Sequence, residues 1–272
     1  MRAGAHLLAF DSGIGGYGIV GALRARLPGA RITMLADNAF YPYGEVTDAA
    51  LIARIEHVIA EAIRRFAPDA VVIACNTAST VALAPLRARF DLPFIGCVPP
   101  IKWAASISRT RNIGLLATAA TVRRPYLSDL ARRFAPDCRL IAHGARGLAD
   151  MAEAAFREQP IDRSALRCEL EALFGQEGGS VIDVVCIGCT HYSFLLDALR
   201  DASPAGIVWL DPAEAVARRT EAVLAGLSLT DGGADRGPSG GEALFTAAPF
   251  AAAMLHPGLR RFGYDGFSLF PS

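Results

Sequence analysis

Two short apolar runs constrain this chain more than anything else in it. Val71-Val72-Ile73 leads into Ala74-Cys75-Asn76-Thr77-Ala78-Ser79-Thr80, and Val184-Val185-Cys186-Ile187 leads into Gly188-Cys189-Thr190-His191. A β-branched run without polar alternation reads as a strand buried on both faces, the environment of a parallel sheet covered by helices. Each run ends in a polar turn carrying a cysteine, and a helical pattern follows. A thiol placed there faces a helix N-terminus, whose positive end favours the thiolate. Two such thiols suggest two thiol bases flanking one substrate.

The rest of the chain supplies strand–turn–helix units around these two. His6 to Phe10 reads as a first strand, a helix runs to about Leu27, and Arg31 to Ala36 is a second strand. Leu51, Ile52, Ile55, Val58, Ile59, Ala62, Ile63 and Phe66 recur at intervals of three and four, the period of an amphipathic helix. Pro68-Asp69 breaks that helix, and Pro85 is expected to kink or restart the one after Ser79. Phe94 to Val98 is another short strand. A second set then begins: a strand at 112–117, a turn at 118–121, a helix at 122–134, a strand at 139–142, helices near 147–156 and 161–174, a strand at 181–187, and a helix after Cys189 to about Leu199. A strand at 207–210 precedes Asp211-Pro212-Ala213-Glu214, a helix start running to about Gly226. Ser228 to Gly241, rich in Gly, Ser and Asp, is expected to be a mobile surface loop, and the tail from Leu244 is expected to fold back on the first lobe.

The expected fold is therefore α/β, two pseudo-symmetric lobes with mostly parallel sheets and the active site between them. Residues 1–98 with 209–272 form the first lobe and residues 99–208 the second. The 27 basic and 27 acidic residues cancel, which argues against a nucleic-acid or anionic-membrane partner. Leu7 to Phe10 is too short for a signal-peptide core, and Ala247 to Leu255, interrupted by Pro249, is too short to span a bilayer. The chain reads as cytoplasmic, and its six cysteines as free thiols.

Several chemistries compete for these residues. Gly13, Gly15 and Gly18 follow the first strand with G-x-G-x-x-G spacing, and Asp37 ends the second strand. That is the layout of a dinucleotide fingerprint, and of a nucleotide-binding oxidoreductase. Asp11 and Ser12 stand against it, because a carboxylate between strand and first glycine repels a phosphate but could hold an ammonium group; their bland role is to cap the helix. Cys186-x-x-Cys189 could be a redox pair, but Cys186 lies inside the apolar run; no second cluster completes a zinc site, and no metal is expected. Cys97, Cys138 and Cys168 read as small buried hydrophobes, and His6, His57, His143 and His256 as structural or solvated. A Cys189–His191 hydrolase would leave Cys75 unexplained. The single lysine, Lys102, is the only possible Schiff-base anchor for pyridoxal phosphate, and its Val98-Pro99-Pro100 setting reads as a helix start. Two opposed thiols suit removal and return of a proton on an amino-acid α-carbon without a cofactor. Asp11 could assist one thiol and His191 the other, with Ser12, Thr77 and Thr190 near the substrate carboxylates.

Phe10-Asp11-Ser12-Gly13-Ile14-Gly15-Gly16, Tyr41-Pro42-Tyr43-Gly44, Ala74 to Thr80, Leu115 to Val122 and Gly188-Cys189-Thr190-His191-Tyr192 together resemble the bacterial glutamate racemases, in that family's order, over roughly residues 7–215. The resemblance implies a cofactor-independent racemase of the aspartate/glutamate superfamily, supplying D-glutamate for peptidoglycan. It implies that Cys75 acts on D-glutamate and Cys189 on L-glutamate. Asp11, Ser12, Tyr43, Gly44, Asn76, Thr77, Thr190 and His191 would line the site. Aspartate racemase, or an isomerase or decarboxylase on the same scaffold, is the neighbouring reading. One stretch departs: the family's Ala-Cys-Pro is replaced by Ala142-His143-Gly144, so Glu153 aligns with the family's functional glutamate only after a gap. A homodimer is among the assemblies open to the chain; the sequence does not fix the oligomeric state.

Overall fold

The computed structural model describes residues 4–227 and 241–271. The chain divides into two compact units, Met1–Cys97 with Ala213–Ser272, and Val98–Pro212. The Ser228–Gly241 stretch read as a loop lies, Gly241 apart, outside the described residues.

The first unit contains β1 (His6–Asp11), α1 (Gly16–Arg26), β2 (Arg31–Ala36), α2 (Asp48–Phe66), β3 (Ala70–Ile73), α3 (Asn76–Arg89) and β4 (Phe94–Gly96). The second contains α4 (Ile101–Ile107), β5 (Asn112–Thr118), α5 (Ala119–Val122), α6 (Pro125–Phe134), β6 (Arg139–Ala145), α7 (Leu148–Phe156), α8 (Arg163–Phe174), β7 (Val184–Ile187), α9 (Leu196–Ala202) and β8 (Val208–Leu210). The chain then returns to the first unit with α10 (Ala213–Gly226), β9 (Ala243–Phe245), α11 (His256–Arg261) and β10 (Ser268–Leu269). Because β8 pairs with β7, the return falls after Pro212 rather than after residue 208.

Both sheets are wholly parallel, with orders β10-β9-β2-β1-β3-β4 and β6-β5-β7-β8. The four strands β2-β1-β3-β4 have the same order as β6-β5-β7-β8, so one connectivity is used twice. In each, the first strand sends the chain to one side for the second strand and to the other for the third. The crevice at that reversal, beyond the strands' carboxyl ends, is where open α/β sheets bind ligands. It falls between β1 and β3 in the first unit, and between β5 and β7 in the second.

The cores follow from the apolar runs. Leu8, Phe10, Val71 and Ile73 point into a cluster that the Leu51, Ile55, Val58, Ile59 and Ala62 stripe of α2 covers. Each large side chain of that stripe is fully buried, worth about 1.5–3 kcal/mol apiece. The helix stops at Ala67, in the left-handed conformation, just before Pro68. The second unit packs Leu116, Val185, Ile187, Leu166, Leu170 and Leu173 in the same manner. Among the described residues no helix is long and apolar enough to cross a membrane.

Three local expectations differ. First, α3 runs unbroken through Pro85; the proline is half-buried on the side of the helix that also buries Ala78, Ala82 and Leu86, and that packing outweighs one lost hydrogen bond. Second, the turn at 118–121 is the one-turn helix α5, because Thr118 caps it by accepting from the Thr121 amide at 3.2 Å. Third, the segment after Cys189 enters as a 3-10 turn, Thr190–Leu195, before α9. The tail adds β9 to the edge of β2. Gly241 makes that approach possible: its φ is +75°, and a Cβ there would lie 1.8 Å from the Ile32 carbonyl oxygen.

Candidate active site

Cys75 is the N-cap residue of α3, at the carboxyl end of β3. Its Sγ accepts from the Ala78 amide at 3.5 Å, the contact a helix N-terminus offers an anion. Ser12 brings its Oγ to 3.7 Å from the same sulfur and 3.4 Å from Asp11 Oδ1, so Asp11, Ser12 and Cys75 form one polar line across the β1–β3 crevice. Asp11 is wholly buried and also accepts from the Gly13 amide at 2.9 Å.

The same turn separates the two sequence readings of the glycine-rich segment. The N-cap residue of α1 is Gly15, so neither Asp11 nor Ser12 occupies the capping position. The Gly13 amide is engaged with a buried carboxylate where a pyrophosphate would need free amides. Gly16 is glycine for packing, since a Cβ there would lie 2.8 Å from Asp11 Cβ.

Asn76 and Thr77, in the first turn of α3, are both buried. Asn76 is 3% exposed, and neither Oδ1 nor Nδ2 has a partner among the described residues. A buried carboxamide without partners costs free energy unless something polar completes it. Tyr43 is buried and donates to Asp37 Oδ2 at 2.7 Å, while the adjoining Gly44 is half-buried. Burial, the Asp37 charge and the hydrogen bond to it hold the Tyr43 hydroxyl well above the usual phenol range, and the thiol of Cys75 and carboxylate of Asp11 push it the same way.

Asp37 is the centre of a cluster that sequence reasoning missed. Its carboxylate takes Arg54 Nη2 at 2.7 Å and the Thr246 hydroxyl at 2.8 Å besides Tyr43. By sequence Asp37 reads only as the possible acidic residue of a dinucleotide site. Arg54 lay on the polar face of a strong helical pattern, and Thr246 lay in the tail; nothing in their spacing joins them.

In the second unit Cys189 lies just past β7, at the position before the Thr190–Leu195 turn, with Thr190 and His191 buried in that turn. His191 Nε2 stands 3.4 Å from Glu153 Oε1 on α7, and Arg157 pairs with the other Glu153 oxygen. Burial works to raise the Glu153 carboxyl, but His191 and then Arg157 outweigh it and hold it below the usual carboxylate range. The gap in the family pattern therefore does not remove Glu153 from the Cys189 turn. Tyr192 pins that turn, its hydroxyl 3.3 Å from the Ala117 carbonyl and 3.4 Å from that of Ala145. Across the crevice the Thr118 and Thr121 hydroxyls are 2.9 Å apart at the end of β5. Within the Leu115–Val122 motif these two threonines were not singled out as site residues.

The remaining candidates fall elsewhere. Cys186 is fully buried in β7, and burial pushes its thiol far above the usual range, so it is poorly suited to pair with Cys189 in redox exchange. Cys97 is buried as expected, but Cys138 is half-buried and Cys168 exposed, because α8 turns Leu166, Leu170 and Leu173 inward and leaves 168 on the outer face. Lys102 is exposed on α4, with Nζ 6.0 Å from the centre of the Phe134 ring. Among the described residues no group of three or more His, Cys, Asp or Glu side chains could hold a metal ion.

The family model described as Asp/Glu/Hydantoin racemase matches residues 18–220. The chain belongs to that family. A glutamate racemase of Granulibacter bethesdensis is 56% identical over 220 residues, 80% of this chain and 78% of that one. A glutamate racemase of Sphingopyxis alaskensis is 43% identical over 84% of this chain and 83% of its own. The crystal structure of Escherichia coli glutamate racemase in complex with L-glutamate and activator UDP-MurNAc-Ala superposes with a TM-score of 0.91 at 33% identity, covering 98% of each chain. The activity these racemase comparisons support is that of glutamate racemase, an isomerase.

Proposed function

We propose that Cys75 and Cys189 are the two proton-transfer groups of a cofactor-independent glutamate racemase. One thiolate takes the α-proton of glutamate; the other thiol delivers a proton to the opposite face of the planar carbanion. Charge is conserved, because one sulfur gains the proton that the other loses, and the roles exchange in the reverse direction. Cys75 acts on D-glutamate and Cys189 on L-glutamate. Asp11, through Ser12, orients the Cys75 half, and Glu153 with His191 the Cys189 half. Ser12, Tyr43, Gly44, Asn76, Thr77, Thr190 and His191 take the substrate's ammonium and carboxylate groups.

The observation that carries this reading is the repetition. The same strand order places one thiol just beyond the third strand of each sheet, at its topological switch point. The Asn76 carboxamide beside Cys75, without a partner among the described residues, adds a group that a polar substrate would complete. The product, D-glutamate, would serve peptidoglycan synthesis in the cytoplasm, and a homodimer is the assembly that sedimentation should look for.

Deuterium labelling tests the mechanism. In D₂O, starting from L-glutamate, the D-glutamate formed should carry deuterium at Cα from the first turnovers while the remaining L-glutamate stays protonated. The reverse run should give the mirror pattern. Unlabelled product, or equal early labelling of both enantiomers, would refute the two-base reading even with racemisation intact.

A further inference from the structure

We propose that Glu169 is a positioning residue for the Cys189 half of the reaction, clamping the turn from which α7 carries Glu153 to His191. The inference rests on the role given above to the Glu153–His191 contact. It starts at the end of β6, at Ala142-His143-Gly144.

Glu169 lies on α8, whose Leu166, Leu170 and Leu173 are buried in the core of the second unit. The base of the side chain is thus anchored by packing. Its carboxylate reaches the turn between β6 and α7. Oε2 pairs with His143 Nε2 at 2.5 Å, and Oε1 accepts from the Arg146 amide at 3.1 Å and the Gly147 amide at 3.5 Å. Gly147 is the N-cap residue of α7 and has no side chain with which to cap it. Glu169 therefore supplies, from another helix, an acceptor for amides at the start of α7. The pair is mostly shielded, with side chains 19% and 18% exposed, which strengthens it relative to a surface pair.

The consequence lies at the other end of the lever. Glu153 is on the second turn of α7, at ion-pair distance from His191. Arg157 grips Glu153 from its own segment, four residues on, and so cannot fix where α7 as a whole sits. The contact from α8 can. Misplacing a reacting group by about 1 Å can cost about a hundredfold in rate.

The test is a double-mutant cycle on the full-length enzyme, with kcat/KM for L- and D-glutamate measured in the native form, Glu153→Gln, Glu169→Gln and the double variant. Glu169→Gln should lower kcat/KM about tenfold in the native background but less than about twofold when Glu153 is already Gln. Because the enantiomers have equal free energy, the loss must be the same in both directions. The ¹⁵N signals of the His191 ring, assigned through His191→Gln, should move in the same sense in Glu169→Gln as in Glu153→Gln. Equal losses in both backgrounds with unmoved His191 signals mean a merely structural role and overturn the proposal, as does an unimpaired Glu169→Gln beside an impaired Glu153→Gln. An unimpaired Glu153→Gln instead overturns the underlying site reading. Should Glu169→Gln fail to fold, His143→Gln, which removes the other half of the pair, decides by the same cycle.

Discussion

Arg54→Met offers the most quantitative check on how the first unit is built. Asp37 has no exposed side-chain surface and Arg54 is 11% exposed. The guanidinium approaches both carboxylate oxygens, with Nη2 at 2.7 Å and Nε at 3.3 and 3.2 Å. Removing one member of a buried pair typically costs about 3–5 kcal/mol, because the other charge stays behind. Here the Tyr43 and Thr246 hydroxyls still donate to Asp37, and methionine keeps an apolar stem near Phe40, whose ring centre lies 4.6 Å from Arg54 Cζ. The lower end, about 3 kcal/mol, is therefore expected. At about 2–4 °C per kcal/mol for a unit of this size, the melting temperature should fall by about 6–12 °C. Arg54→Lys keeps the charge but loses the planar fork, and should fall by about half as much. Calorimetry on the three proteins gives the stabilities. The KM for glutamate should rise in both variants, because Asp37 is what holds the Tyr43 hydroxyl. An Arg54→Met melting temperature within about 2 °C of native would show that Asp37 is not held as a buried charge, and would refute the reasoning.

Three further outcomes follow from the site. Cys75→Ala and Cys189→Ala should each abolish racemisation in both directions, since either direction needs one base and one acid; near-native turnover in either variant would end the two-thiol reading. Asp11→Asn retains an oxygen for the Gly13 amide, so it should keep its circular dichroism spectrum and melting point while kcat falls; full activity would leave Asp11 a purely structural role. Glu153 sits below its ordinary value of 4.5 in the folded protein, so its contribution to stability is fully present above that value and is lost as pH falls through the lower folded one. The stability gap between the native protein and Glu153→Gln, read from urea unfolding at a series of pH values, should be flat near neutrality and shrink below about pH 4.5; a gap that widens on acidification would contradict the assigned sign.

The strands β1, β2, β3, β5 and β7 were legible because a strand covered on both faces must be apolar at consecutive positions. The stripe of α2 was legible because helical period and burial coincide there. Cys75 and Cys189 could be located from local signals alone, each being a polar break directly after a buried run. The passage of α3 through Pro85 was not legible, since propensity at one residue competes there with the packing of Ala78, Ala82 and Leu86. Nor was the exposure of Cys168, which depends on which face of α8 the core takes.

What the sequence determined by itself was the alternation of strand and helix, the parallel class of the sheets and the two thiol turns, all properties of short windows in which backbone geometry and burial are encoded residue by residue. What only the tertiary structure decided was which distant groups meet. Asp37 finds Thr246 across 209 positions, Glu169 finds His143 and the start of α7 across more than 20, and Tyr192 reaches the ends of β5 and β6. A hydrogen bond of this kind leaves no period in the sequence, because it is fixed by where whole elements pack and not by the spacing of residues within one.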